Sequence, residues 1–417
     1  MLTREASVAD LFLELVAVPS PSGRERVVAE LIRAWLSQHG VTAEFDDAGT
    51  TNGSDAGNLV ATVPGAPGAP AFLFVAHMDT VESGMQAVSA RLGGDGVIRS
   101  DGETILGADN KAAVAAVMRL CAVVADLPAI GRPTVHAAFT CREENGRMGA
   151  SLLDRALLSR VDCAFCVDGA RPIGTVITRA LGQTVFSFTI HGRTAHAAAN
   201  PDAGVDAIGV AAEIIAALPL GRQSGGGSAG IAAIVGGAVI DRLSPPALKA
   251  LGVADDAGGA ISVDAALKAA ATNSVPDLAL VRGEVRGYSV DEIEATVQTI
   301  VDTVQRVCEQ HGATYDWVRD RGRIVPPFPA PGPRALELIG RAIAAVPGIR
   351  LVPEERQATL EANYLAADTD VVAVASGGRD PHQRSESIPA AELERLEALL
   401  LAIVTAAGDP PGVPGQP

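Results

Sequence analysis

His77 and Asp79 close the apolar run AFLFVAHMD at 71–79, and residues two apart in a strand share one face, so the imidazole and the carboxylate point the same way. Such a pair suits a metal ligand with a partner holding its other ring nitrogen; taken alone, it reads more readily as an ordinary strand end. Asp109, in LGADNKAAVAAVM, stands directly before a helical pattern, where it is either a ligand or an N-cap. Glu143 and Glu144 end the run TVHAAFTCREE. Two like charges side by side are costly unless a cation or solvent screens them, so they read as one ligand plus one base, or as an exposed strand end. Asp168 ends AFCVDG in the same manner, and His382 lies in SGGRDPHQRSE after the run VVAVAS. Together these imidazoles and carboxylates fall at the ends of successive strands. That convergence suits a dinuclear site, because Zn²⁺ takes imidazole and carboxylate at about 2.0–2.2 Å and one carboxylate can bridge two ions. His39, His136, His191 and His311 have no acidic partner in a comparable context and read as packing or surface residues. Cys163 and Cys166 form a C-x-x-C inside an apolar run, which reads as a pair of buried strand cysteines.

The elements that must position these residues follow an α/β pattern. Apolar β runs at 71–79 and 134–141 alternate with helical patterns at 23–38 and 109–125, and AFCVDG follows at 164–169. This order predicts a mixed, largely parallel sheet whose strand carboxyl ends carry function. From about residue 182 the pattern changes to strand, helix, strand, strand, helix, strand. The expected architecture is therefore a catalytic domain of residues 1–181 and 323–417 interrupted by an α+β, ferredoxin-like β-α-β-β-α-β domain at 182–322. SGGGSAG at 224–230 lacks the strand–loop–helix order and the following Lys of a phosphate cradle, so it reads as a hairpin connection. Residues 240–272 form a polar, Ala-rich excursion, and the tail GDPPGVPGQP has a composition that favours disorder.

Composition narrows the function further. A chain of 417 residues with 48% hydrophobic side chains exceeds one average domain. Its 33 Lys and Arg against 49 Asp and Glu give −16, which disfavours nucleic acid or an anionic membrane as partner. No apolar stretch approaches the length of a membrane span. The N-terminus MLTREASVADLF places charges where a signal peptide needs an uninterrupted apolar segment. An odd number of scattered cysteines, five, does not make a disulfide framework. A cytoplasmic location is the expectation.

With these motifs in order, the chain resembles the di-zinc metallopeptidase family that includes peptidase T, glutamate carboxypeptidase and the aminoacylases, and it looks closest to the peptidase T-like branch. The resemblance rests on AHMDTVESG (76–84), SDGETILGADNKAAVAAV (100–117), FTCREENGRMGA (139–150), VDGARPIGTV (167–176), IHGRTAHAA with PDAGVDAI (190–208), NSVPD (273–277), GEVRGYS (283–289) and GGRDPHQRSE. It implies two zinc ions per subunit, with Co²⁺ or Mn²⁺ as possible substitutes. Asp109 would bridge them, His77 and Asp168 would complete one site, and Glu144 and His382 the other. Asp79 would orient His77, and Glu143 would be the general base that deprotonates the attacking water. The inserted domain would act as a lid and mediate a homodimer; His196 from the partner would stabilise the oxyanion, and Asn273 and Arg286 would bind the substrate carboxylate. The implied activity is aminopeptidase- or dipeptidase-like hydrolysis of short peptides. An N-acyl amino acid amidohydrolase and a catalytically inactive binding protein on the same scaffold are the alternatives. The sequence departs from the family at Ala358–Asn363, where a Gly-Ser/Thr-Asp-Ala-Asn loop is usual, at Ala197-Ala198, and in the 240–272 insertion.

Overall fold

The computed structural model describes residues 4–81, 85–146, 148–237, 272–320 and 324–406. All but the last residue of the 240–272 excursion, and the proline-rich tail, lie outside these. The chain divides into two compact units, one of Met1–Ala180, Phe328–Arg356 and Leu360–Pro417, the other of Leu181–Pro327 and Gln357–Thr359.

The first unit opens with β1 (Thr42–Phe45), β2 (Leu59–Val63), β3 (Ala71–His77), β4 (Arg91–Leu92), β5 (Val97–Arg99), β6 (Thr134–Thr140), β7 (Cys163–Val167) and β8 (Thr175–Ala180). The second holds β9 (Gly182–His191), β10 (Gly221–Arg222), β11 (Ser228–Gly236), β12 (Leu278–Gly287) and β13 (Thr314–Arg319); the first then resumes with β14 (Val352–Arg356), β15 (Val371–Val374) and β16 (Ser387–Pro389). The large sheet runs β1-β2-β6-β3-β7-β15-β8-β14. Its centre, β6-β3-β7-β15, is parallel throughout. Every residue of β3 is buried, which is why its sequence is a continuous apolar run instead of an alternating one.

Alternation sorts the two faces. Phe72, Phe74, Phe165 and Val167 join the core built around helix Ala108–Asp126, whereas Leu73, Val75, Ala138, Cys166 and Ala373 form the core of the opposite face. His77 follows Leu73 and Val75 in the same two-residue register. Helix Ala108–Asp126 is buried on nearly every side and meets β3 and helices Val8–Val16 and Ala390–Ala406. Its alanines, Ala112, Ala113, Ala115, Ala116 and Ala122, let those neighbours come close. Helix Val8–Val16 starts with a capping box, in which the Ser7 hydroxyl accepts from Asp10 N and the Asp10 carboxylate accepts from Ser7 N.

In the second unit every strand pair is antiparallel, in the order β10-β11-β12-β9-β13, with helices Ala207–Ala217 and Val290–His311 packed on the sheet. Read as β13-β9-β12-β11, this is the ferredoxin-like order, extended by the short hairpin strand β10. Phe186, Phe188 and Trp317 stack with ring centroids 4.9–6.3 Å apart. The glycine-rich segment at 224–227 is the connection between β10 and β11.

Four strands of the large sheet, β1, β2, β8 and β14, go unmarked in the sequence reading. Strand β14 (VPEER) is a polar edge strand and β1 (TAEF) spans four residues, so neither makes an apolar run. Cys163 and Cys166 are buried, unbridged and on opposite faces of β7. No helix among the described residues is long and apolar enough to cross a membrane.

The close packing of helix Ala108–Asp126 leaves no room for growth. Ala115→Leu is expected to lower the unfolding free energy by about 1–3 kcal/mol, the usual cost of overpacking, measured as a fall in denaturant midpoint at unchanged slope. An unchanged midpoint would show that the helix has space around it.

Candidate active site

Parallel strands β3, β6, β7 and β15 end on one edge of the sheet, and the loops leaving them bring the polar residues together. His77 ends β3 and is 1% exposed. Its Nδ1 faces the main-chain oxygen of Asp79 at 2.9 Å, and its Nε2 lies 3.2 Å from Asp109 Oδ1. The other carboxylate oxygen of Asp109 is 3.6 Å from His382 Nε2, which in turn is 2.9 Å from Glu144 Oε1. Asp168 joins from the end of β7, its N–H donating to Val374 O at 2.8 Å. His77, Asp109 and Asp168 offer ligand atoms within 4.8 Å of one another, as do Asp109, Glu144 and His382, and so do His77, Glu143 and Glu144. Asp109 thus stands in both of the sets that the family resemblance implies, Oδ1 towards His77 and Oδ2 towards His382.

This donor set fits divalent cations. Oδ1 of Asp109 is buried and makes no hydrogen bond despite its closeness to His77, as suits an oxygen that takes a cation as its partner. Burial opposes protonation of His77, but the carboxylates of Asp109, Asp79 and Glu143 outweigh it and raise its pKa well above the usual value. The carboxylates of Asp109 and Glu144 push His382 up to about 10. Burial works against a charged Asp109, yet the two imidazoles hold its carboxyl well below the usual range. Burial raises Glu144, partly offset by His382.

Asp79 has a different engagement from the one expected. Its carboxylate approaches His77 Nδ1 at 3.5 Å, while the main-chain oxygen makes the closer contact. The carboxylate instead accepts from Glu143 N at 2.9 Å, Glu144 N at 3.2 Å and the Ser22 hydroxyl at 2.5 Å. It therefore fixes the backbone that carries the two adjacent glutamates. Arg142, just before them, sits at φ 52, and its N–H donates to buried Glu25 at 3.0 Å. Glu25 also accepts from Gly23 N and the Ser54 hydroxyl, each at 2.7 Å.

The sequence reading assigns no role to Ser22, Glu25 or Glu386. Glu386 accepts from Gly107 N at 2.6 Å and Asp109 N at 2.9 Å, so it pins the turn that presents Asp109. Its only signal was its place four residues after His382. Lys111 is buried, donates to Val18 O at 2.6 Å, and is lowered to about 7 by burial against the pull of Glu386 and Asp79. In the altered 358–363 segment Glu361 is fully buried, and burial pushes its carboxyl up to about 7.

The remaining predicted residues lie in the second unit. Nδ1 of His196 accepts from Ala198 N at 3.2 Å and Ala199 N at 3.1 Å, which assigns the ring proton to Nε2 and leaves that N–H available as a donor. Asn273 O accepts from Ala197 N at 2.8 Å, tying the two segments together. Arg286 is engaged with Glu284 through two bonds of 2.9 and 3.2 Å. His191 and His311 each have an acidic partner after all, Asp316 and Glu213, both at 2.7 Å on the surface. His39 packs on Trp35, and His136 lies between Thr62 and Ser159.

An α/β sheet with imidazoles and carboxylates gathered at its parallel edge, in a chain that also carries a ferredoxin-like unit, points to a class of hydrolases. Residues 73–406 match the model of peptidase family M20/M25/M40, and the chain belongs to that family. It is 27% identical over 413 residues to the uncharacterised protein YqjE of Bacillus subtilis (strain 168), an alignment covering 97% of this chain and 99% of that one. Among solved structures, it is similar to the aminopeptidase PepT of Bacillus cereus ATCC 10987, with a TM-score of 0.79, 28% identity, and 98% and 100% of the two chains covered. It is also similar to a tripeptidase of Staphylococcus aureus subsp. aureus Mu50, with a TM-score of 0.81, 25% identity, and 98% and 99% covered.

The raised pKa values of His77 and His382 set the sign of a pH effect. Facing carboxylates favour the protonated form of both rings, and a ligating nitrogen must lose that proton. Metal uptake by the apoprotein should therefore release protons and strengthen as pH rises from 6 to 8. Calorimetry in two buffers of different ionisation enthalpy reads the number released. Uptake without proton release would remove both imidazoles from the ligand set.

Proposed function

We propose that this protein is a zinc-dependent aminopeptidase of short peptides, with two cations held at the edge of the parallel sheet. The observation that carries the reading is the sharing of Asp109 between two ligand sets, one with His77 and Asp168, the other with Glu144 and His382. The kinship with a peptidase T and a tripeptidase supports short peptides as substrates. Cations in this setting would lower the pKa of a shared water and polarise the scissile carbonyl.

The chain's own residues supply the rest. Glu143 is the base: its backbone is fixed by Asp79, so its carboxylate can take a proton from the attacking water and pass it to the leaving amine. Glu144, next in sequence and bonded to His382, stays a ligand. His196 offers Nε2–H to the oxyanion. Asn273 and Arg286 hold the substrate carboxylate, Arg286 exchanging its bonds to Glu284 for bonds to substrate. The five cysteines, all unbridged, fit the reducing cytoplasm.

The test is hydrolysis of free-amine tripeptides and of N-acyl amino acids, before and after exhaustive chelation. We expect tripeptide cleavage that disappears on chelation and returns with Zn²⁺, Co²⁺ or Mn²⁺. Glu143→Gln should lose about 10²–10⁴-fold in kcat and retain its metal, whereas Glu144→Gln should also lose metal by elemental analysis. Full activity of the verified apoprotein would overturn the reading, and the opposite pattern in the two variants would exchange the roles of base and ligand.

We further propose a homodimer in which His196 serves the partner's site. Mixing His196→Ala with Glu143→Gln subunits should then restore activity, because each heterodimer has one site with both residues. Random reassortment gives about a quarter of wild-type activity. No recovery after demonstrated subunit exchange would confine His196 to its own subunit.

A further inference from the structure

Many arginines of the described residues are engaged by carboxylates. Arg26, Arg33, Arg99, Arg119, Arg155, Arg171, Arg282, Arg286 and Arg319 all make ion pairs. Arg356 is one of those not so engaged, and it stands beside Asp168. It ends β14 in the first unit and is half-buried, and among the described residues it makes no ion pair. Its single hydrogen bond is a long one, from one Nη to Asp168 O at 3.5 Å.

The place of this guanidinium is built. It lies over Gly169, the residue after Asp168, whose backbone has φ +115. A Cβ on Gly169 would fall within 3.1 Å of both Cζ and an Nη of Arg356, so the missing side chain is what admits the guanidinium beside the loop. Arg171, two residues further along that loop, is already paired with Glu354 at 3.1 Å. A planar fork of N–H donors with nearly all of its bonds unmade, set next to a predicted metal ligand, matches one chemical partner best, a carboxylate, which it can take bidentately.

We propose that Arg356 is a substrate-binding residue that receives a carboxylate of the peptide close to the scissile amide, which selects anionic substrates. The proposal rests on the peptidase reading of the Asp109 centre. It assigns the first unit an anion site of its own, distinct from Arg286, which must first give up Glu284. The carboxylate has two sources, the C-terminus of a short peptide or an acidic side chain beside the cleaved bond.

The experiment measures peptide binding to Glu143→Gln, loaded with Zn²⁺, by calorimetry, with and without Arg356→Ala. Three tripeptides form the probe set: one with a free C-terminus and neutral side chains, its C-terminal amide, and that amide with Asp at the residue following the cleaved bond. Losing a bidentate charge-assisted pair should weaken binding of one carboxylate-bearing peptide by about 10- to 100-fold. The neutral amide should change less than about twofold, and the peptide that loses most identifies the source. Guanidinium ion added to Arg356→Ala should restore binding of that same peptide, which a purely structural defect would not allow. Equal weakening of all three peptides, no weakening of any, or no binding to Glu143→Gln overturns the proposal. Selective weakening in a protein that cleaves none of the peptides would instead condemn the peptidase reading and leave Arg356 as an anion site.

Discussion

Crowding of like charge is the constraint on which this molecule turns. Asp109, Glu143, Glu144 and Asp168 meet at one edge of the large sheet with two imidazoles between them. Carboxylates brought so close repel one another, and burial penalises each charge further. The fold answers with backbone amides: Asp79 is held by the N–H groups of Glu143 and Glu144, Glu25 by those of Gly23 and Arg142, and Glu386 by those of Gly107 and Asp109. These outer carboxylates are themselves stabilised by donors, and they fix the loops from which the inner ones project. Left to side chains alone, the inner carboxylates pull the pKa values of His77 and His382 upward. A divalent cation does the same work with more charge in less space.

Much of this was legible in the sequence because parallel strands buried on both faces leave a strong trace. The runs ending at His77 and Asp168 are apolar up to their last residue and the one before Glu143 and Glu144 is largely so, and a polar residue where such a run stops is conspicuous. Strands β1 and β14 leave no such trace, since short or edge strands need no apolar run. The braces are equally silent. Ser22 and Glu25 precede a helix and look like ordinary cap residues, and their bonds to Asp79 and to Arg142 N join segments 57 and 117 residues apart. Contacts of that span have no local periodicity to betray them.

The engagement of Asp79 differs from the one that its spacing from His77 suggests. The two-residue spacing from His77 marks it, and its main-chain oxygen does face that ring. Its carboxylate, though, is chiefly given to the amides of Glu143 and Glu144. One residue thereby links two ligand-bearing strands, β3 through its position in the chain and β6 through its side chain. The same economy recurs at Glu386, which belongs to the His382 loop and holds the turn of Asp109.

That last linkage bears on how the protein comes into being. Glu386 meets Gly107 and Asp109 across 279 and 277 residues of chain, with the whole second unit synthesised in between. Strands β3, β6 and β7 leave the ribosome early, whereas His382 and Glu386 emerge only after the ferredoxin-like unit. Contacts of such long sequence separation form late. Any centre on β3 and β7 would thus remain half-built throughout translation, and the complete constellation closes only once the long insertion has been made.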